Sequence, residues 1–109
     1  MRTLKFIVDG QIITPDPECD FSNLVPGTNG YLRIWFKFSE EWTDCKKVVG
    51  FWSVMGREYQ PQELLDGETC VIPADALRRR EFKMQVYGVR KDYKITTNKI
   101  TVSQDGGIS

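Results

Sequence analysis

Few residues in this sequence are of the types that carry out catalysis. The chain contains no histidine, and histidine is the commonest general base in enzymes and the commonest nitrogen ligand for metals. Glycine-rich phosphate and dinucleotide motifs and the nucleophile elbow of hydrolases are also absent. Glu40 with Glu41, and Glu63 with Asp66, have the residue types that glycoside hydrolysis requires, but carboxylates in turns are usually solvated. We therefore predict a protein that is not an enzyme and holds no cofactor.

The cysteines do not form a recognisable metal or disulfide pattern. Cys19, Cys45 and Cys70 are odd in number and widely spaced, without a CxxC pair. This usage indicates reduced thiols in a protein made in the cytosol. Three scattered thiols without histidine do not suit zinc, so no metal site is expected. Cys70 lies in an apolar strand pattern and is predicted to be a core residue.

Three tryptophans are the strongest candidates for binding residues. An exposed tryptophan on a sheet can stack on a sugar ring or anchor a protein interface, and the alternative is simple core packing. Trp35 and Trp52 lie in predicted strands, so all three interpretations stay open for them. Trp42 lies in a polar turn, and we expect it to plug one end of the core.

The charges balance in total but are unevenly distributed. Fifteen basic and fifteen acidic residues give a formal net charge of zero, which argues against nucleic acid as a partner. Residues 9–24 contain only acidic charges, whereas residues 78–94 are mainly basic. Either these are two solvated faces, or they are complementary sides of a head-to-tail assembly. In the second case Arg79 and Arg80 are the contacts expected at the basic end.

Alternation of apolar and polar residues with a period of two recurs along the chain and predicts short strands. It is clearest in residues 31–38. The residues expected to face the core there are Leu32, Ile34, Phe36 and Phe38. Asp9-Gly10 between two such runs predicts an opening hairpin with a type I′ turn. In the long irregular segment 15–30, Phe21 and Leu24 are expected to anchor the chain on the core. Asn98 interrupts the last run and predicts a bulge.

These elements together predict an all-β protein. About eight strands at spacings near ten residues, separated by turn signals, favour a sandwich or barrel. We predict an immunoglobulin-like (Ig-like) antiparallel β-sandwich of about 7–8 short strands, with one short helical turn at residues 73–77. Residues 1–103 are expected to form a single domain and residues 104–109 a flexible, Gly-rich tail. No apolar run is long enough to span a membrane, and no signal peptide is expected.

Several segments resemble a known family when they are taken in order. They are YLRIWFKF at 31–38, EW at 41–42, VVGF at 48–51, LDGETCVIPADAL at 65–77, FKMQVYG at 82–88 and ITTNKITV at 95–102. In this order they are similar to small β-sandwich domains of tail and baseplate proteins from phages and prophages of Gram-positive bacteria. The resemblance covers roughly residues 30 to 103 and carries no catalytic residue with it.

The resemblance implies a bacteriophage virion structural protein that acts as a tail or baseplate assembly module. The expected partners are other phage structural proteins and further copies of the chain, and the expected location is the virion, after folding in the host cytoplasm. The contacts predicted for this role are Trp35 and Tyr87 on strand faces, with Arg79 and Arg80 at the basic end. The alternative is a carbohydrate-binding module that attaches to host glycans through Trp35 or Trp52.

Overall fold

Within residues 1–104, which the computed structural model describes, the chain forms nine strands and two short 3₁₀ turns. The strands are β1 (Arg2–Asp9), β2 (Ile12–Pro15), β3 (Leu32–Phe38), β4 (Lys46–Ser53), β5 (Gln62–Glu63), β6 (Thr69–Val71), β7 (Glu81–Arg90), β8 (Tyr93–Thr96) and β9 (Ile100–Ser103). The 3₁₀ turns are Glu40–Trp42 and Ala76–Arg78. No helix of the described residues is long and apolar enough to cross a membrane.

The strands form two sheets, which confirms the predicted all-β sandwich. Sheet A has the order β2-β1-β3-β6. Sheet B has the order β5-β4-β7, and β8 and β9 pair one after the other along the far edge of β7. The prediction of purely antiparallel pairing is wrong at one place, because β1 and β3 are parallel. Residues 16–31 bring the chain back to the end of the sheet where β1 begins, so that β3 can run in the same direction as β1. Parallel neighbours need a long connection of this kind.

The core lies between the sheets and follows the alternation of the strands. The side of β3 that carries Leu32, Ile34 and Phe36 is buried, as predicted, whereas Phe38 at its end is only partly buried. The principal side chains that meet across the core are Leu4, Phe6, Val8, Ile34, Phe36, Val49, Phe51, Phe82, Met84 and Val86. Burying each such side chain contributes about 1.5–3 kcal/mol, so the alternation fixes which side of each strand faces inward.

The interruption between β8 and β9 joins the edges of the two sheets. The Thr97 hydroxyl accepts a hydrogen bond from the Val86 amide at 3.1 Å, which moves the chain out of regular pairing with β7. Asn98 Oδ1 accepts a bond from the Ile13 amide at 3.0 Å, and the Asn98 amide donates to the Gln11 carbonyl at 3.0 Å. The bulge predicted at Asn98 is therefore confirmed, and it ties β2 of sheet A to sheet B.

Trp42 closes the sandwich at one end. Its side chain is fully buried, and its Nε1 donates a hydrogen bond to the Gly10 carbonyl at 2.8 Å, which confirms the predicted plug. The hairpin that presents this carbonyl differs from the prediction, because its turn consists of Gly10 and Gln11 and only Gly10 has a positive φ, 57°. A type I′ turn needs positive φ at both central positions. Because Asp9 pairs with Ile12, the turn lies one residue later in the chain than predicted.

The opposite end is closed by the second 3₁₀ turn, where a short helical turn was predicted. Leu77 is buried there and its carbonyl accepts a bond from the Gly27 amide at 2.7 Å. The expected anchor Leu24 is buried, and Phe21 packs edge-on against Phe6 with centroids 5.3 Å apart. Residues 105–109 of the predicted tail lie outside the described residues. Its first residue, Gln104, is only 4% exposed and donates through Nε2 to the Leu77 carbonyl, so it belongs to the packed domain.

Candidate interaction surfaces

A partly exposed tryptophan, Trp35, lies near the centre of the outer side of sheet A. Alternation along β3 places it on the side opposite the buried residues. Its partners in register are Lys5 on β1 and Thr69 on β6. The indole Nε1 donates a hydrogen bond to Glu68 Oε2 at 3.1 Å, and Lys5 Nζ lies 5.9 Å from the ring centroid. The ring is thus held in a defined orientation without being buried.

The neighbours of this ring form a surface that we call the Trp35 face. It is a shallow depression of about 350 Å³, lined by Thr3, Lys5, Arg33, Trp35 and Thr69. The Arg33 guanidinium donates to Thr3 Oγ1 at 3.2 Å, which fixes it beside the ring. Tyr31, immediately before β3, is 51% exposed. Aromatic rings beside guanidinium groups are typical of the central parts of protein interfaces.

Trp52 has a different environment on the outer side of sheet B. Its ring lies against the backbone of Gly50, because a Cβ atom there would come within 2.5 Å of Trp52 Cη2. Lys99 Nζ lies over the ring, 4.5 Å from its centroid. A sugar that stacked on Trp52 would have to displace this ammonium group and its cation–π interaction. Of the two tryptophans predicted for stacking, Trp35 is therefore the better placed.

Tyr87 also lies on the outer side of sheet B, in register with Val48 and Thr96. It is partly buried between these neighbours. Because Trp35 faces outward from sheet A, the two aromatic residues lie on opposite sides of the sandwich. They cannot contact the same partner surface, so the structure does not bring them together.

Arg79 and Arg80 follow the second 3₁₀ turn at one end of the sandwich, and both are exposed. Their carbonyls accept hydrogen bonds from Gln104, with Nε2 at 2.7 Å from Arg79 and the amide at 2.6 Å from Arg80. The backbone is therefore held while both guanidinium groups remain in solvent. They lie at an end of the molecule, apart from both Trp35 and Tyr87.

Arg79 belongs to a cluster that the sequence did not reveal. An open depression of about 250 Å³ is lined by Arg57, Tyr59, Asp75, Arg78 and Arg79, and we call it the arginine depression. Arg57 comes from the turn after β4, whereas the other two arginines come from the second 3₁₀ turn and the residue after it. Only the folded topology brings them together, because Arg57 is more than twenty positions away in sequence and its own neighbours gave no basic signal.

The grouping of residues 78–94 into one basic side is wrong. These residues include all of β7, and ten residues of strand span about 33 Å. The arginines of residues 78–80 stand at the beginning of β7, whereas Arg90, Lys91 and Lys94 stand around the turn at its other end. Most of the basic charges are therefore divided between two ends of the sandwich, and of them only Arg78 and Arg79 line the arginine depression.

The carboxylates considered for catalysis lie in ordinary surface settings. Hydrogen bonding from Ser39 lowers the pKa of Glu41 below its usual value of 4.5, which favours the ionised form over a proton donor. Glu63 forms an exposed ion pair with Lys46 at 3.6 Å. Residues 1–104 contain no group of three or more cysteine or acidic side chains placed to hold a metal ion.

The three cysteines are free and differ in exposure. Cys45 and Cys70 are buried, which confirms the prediction that Cys70 belongs to the core, and Cys19 is half-buried. Burial raises the pKa of the Cys70 thiol from 9.0 to about 12. The Cys19 sulfur accepts a bond from the Lys5 amide at 3.3 Å beside β1. Of the three, Cys19 is the thiol nearest to solvent.

Neither protein-family models, nor curated proteins, nor solved structures match this chain.

Proposed function

We propose that this protein is a non-catalytic bacteriophage virion component, a tail or baseplate assembly module built on an immunoglobulin-like β-sandwich. The observation that carries the binding role is the Trp35 face, where an oriented and partly exposed indole ring lies beside Arg33. Tryptophan and arginine are enriched where proteins meet. The virion setting is supported by the ordered sequence segments of residues 31–102 that resemble tail and baseplate domains.

The outer edges of β2 and β6 are already occupied, which favours binding to partners through the sheet faces and the ends of the sandwich. The edge strand β2 is tied to sheet B through Asn98, and the β6 edge is bridged by Leu65, which exchanges hydrogen bonds with Thr69 at 2.6 and 3.1 Å. Edge strands occupied in this way offer few free backbone groups for strand addition. Partners of the proposed module are other structural proteins of the particle, which would meet the Trp35 face, Tyr87, or Arg79 and Arg80.

Incorporation into particles tests the proposal. The tagged chain is expressed in a Gram-positive bacterium that carries a phage whose genome encodes this chain. Purified phage particles are then examined by immunogold electron microscopy. Label at the tail tip or baseplate is expected, and loss of label is expected when Trp35, Tyr87, Arg79 and Arg80 are all replaced by alanine. Particles without label refute the virion role, and unchanged label in the fourfold variant refutes the residue assignment.

A carbohydrate-binding module is the second candidate, and the open setting of Trp35 favours it over a role for Trp52. A pyranose ring can stack on an exposed indole while neighbouring polar groups, here Thr3 and Arg33, bind its hydroxyls. A glycan array and quenching of tryptophan fluorescence by soluble sugars separate the two candidates. Sugar-dependent quenching that Trp35→Ala abolishes and Trp52→Ala retains would favour the glycan role.

A further inference from the structure

The arginine depression contains more cationic than anionic groups. Among the described residues its single ion pair joins Arg78 to Asp75 at 3.4 Å, on the surface. Arg57 and Arg79 have no carboxylate within ion-pair distance in that part of the chain. Planar guanidinium groups bind carboxylates through paired hydrogen bonds. Three guanidinium groups line this depression and only one carboxylate does, so further acidic groups can bind there.

The turn beside the depression adds exposed apolar surface. Val54 is 45% exposed and Met55 is 91% exposed, and both precede Arg57 in the turn that follows β4. Methionine and arginine are enriched at protein interfaces relative to the rest of the surface. Because apolar side chains stand next to the cations, a polypeptide partner fits this site better than a small free anion does.

The complementary charges are carried by residues 16–20, which we call the acidic loop. It continues beyond β2 along the edge of β1, where the Asp16 amide donates to the Lys5 carbonyl at 3.0 Å. Its acidic residues are Asp16, Glu18 and Asp20, none of which forms an ion pair within the described residues. Arg2 fixes the end of the loop by donating to the Asp20 carbonyl at 3.0 Å.

The acidic loop and the arginine depression occupy separate parts of the surface. The loop follows β2 at one edge of sheet A, beside β1. The depression lies at the end of the sandwich where β4 ends and β7 begins, with Arg57 on the β5 side of β4 and Arg78 and Arg79 just before β7. One molecule therefore presents an acidic surface and a separate basic surface.

We propose that copies of this chain associate in a head-to-tail manner, with the arginine depression of one copy binding the acidic loop of the next. The proposal deepens the assembly role proposed above and rests on it. Each copy then binds one neighbour through its depression and another through its loop, which is a heterologous contact that produces a ring or a filament. A ring is the form that a tail or baseplate component would take.

Charge reversal tests the contact in sedimentation velocity experiments over a concentration series. The wild-type chain is expected to associate at low salt and to dissociate as salt screens the charges. The double variants Arg57→Glu/Arg79→Glu and Asp16→Lys/Glu18→Lys should each associate at least about tenfold more weakly, because like charges then oppose each other. An equimolar mixture of the two variants should associate again, since each restores the other's missing charge.

The matched control is Lys91→Glu/Lys94→Glu, which makes the same change in net charge at the other end of β7. It should associate like the wild type. A wild-type chain that stays monomeric at every concentration overturns the inference, as does a mixture of the two variants that does not associate. A chain that enters particles yet does not self-associate overturns this inference alone and leaves the proposed function standing.

Disulfide trapping distinguishes a heterologous contact from a twofold one. Asp75→Cys places a thiol in the arginine depression and keeps all three arginines, while Cys19 already lies in the acidic loop. Mild oxidation should yield a ladder of trimers and larger species on a non-reducing gel. The ladder should be absent from Lys94→Cys and from Asp75→Cys combined with Cys19→Ser. Cross-linking that stops at the dimer would refute the open, heterologous arrangement.

Discussion

Gly88 lies against the ring of Trp42, so closely that a Cβ atom on Gly88 would stand 2.9 Å from Cε3 and Cζ3 of that ring. Trp42 cannot move away, because it is fully buried and bound to the Gly10 carbonyl. The packing at this end of the sandwich therefore depends on the absence of a side chain at residue 88 as much as on the presence of the indole.

Gly88→Ala is expected to destabilise the protein by about 1–3 kcal/mol, the usual cost of overpacking a core. Gly50→Ala is the matched comparison, since its Cβ would also strike a tryptophan ring, that of Trp52. That ring lies at the surface and can swing aside, so we expect a smaller loss. Urea unfolding followed by circular dichroism measures both, and equal losses would contradict the explanation.

Trp42→Phe should cost about 2–4 kcal/mol of unfolding free energy. The substitution leaves a cavity and removes the donor to the partly buried Gly10 carbonyl. Trp35→Phe, on the open outer side of sheet A, removes only an exposed bond to Glu68 and should cost less than about 1 kcal/mol. Chemical denaturation of the two variants in parallel tests this order, and a larger loss for Trp35→Phe would be the contrary result.

Asn98→Ala should weaken the connection between β2 of sheet A and sheet B. It leaves the Ile13 amide without its acceptor, at a cost of about 1–3 kcal/mol. Asn98→Asp keeps an acceptor oxygen at the same place and should retain most of the stability. Hydrogen exchange at the Ile13 amide provides the local measurement. Exchange should be faster in Asn98→Ala and near wild type in Asn98→Asp; unchanged protection in both would show that the bond contributes nothing.

Stability should fall in alkaline solution partly because of Cys70. Its pKa is raised to about 12 from 9.0 by burial, so the folded chain keeps a proton that the unfolded chain loses. This contribution is fully present below pH 9 and is lost as pH rises toward 12. Cys70→Ala lacks it, and the two proteins differ in no other ionisable group. The wild type should therefore lose unfolding free energy relative to Cys70→Ala above pH 9, and a constant difference would contradict the assignment.

The sequence predicted the features that depend on local alternation. The inward side of β3, the burial of Cys70 and the plug formed by Trp42 all follow from which residues alternate and which stand alone in a polar turn. The bulge at Asn98 was predictable for the same reason, because it breaks an otherwise regular run. These features are decided within a few residues of the chain.

The features that depend on how distant segments pair were not predictable. Parallel and antiparallel neighbours require the same alternation, so nothing in β1 or β3 reveals that they run in the same direction. Arg57 joins Arg78 and Arg79 only because the turn after β4 folds next to the second 3₁₀ turn. The two basic groups of residues 78–94 are adjacent in sequence but lie at opposite ends of one long strand. Their positions in the sequence alone therefore led to the wrong prediction of a single basic side.

The bond between Ile13 and Asn98 has a consequence for how the chain folds during synthesis. The two residues are 85 positions apart, so the β1–β2 hairpin is synthesised well before the residue that binds its edge. Contacts of such high sequence separation slow folding, because the connecting loop must close before they form. The edge of the β1–β2 hairpin should therefore stay unbound on the nascent chain until residue 98 has emerged, and the sandwich should fold cooperatively after that point.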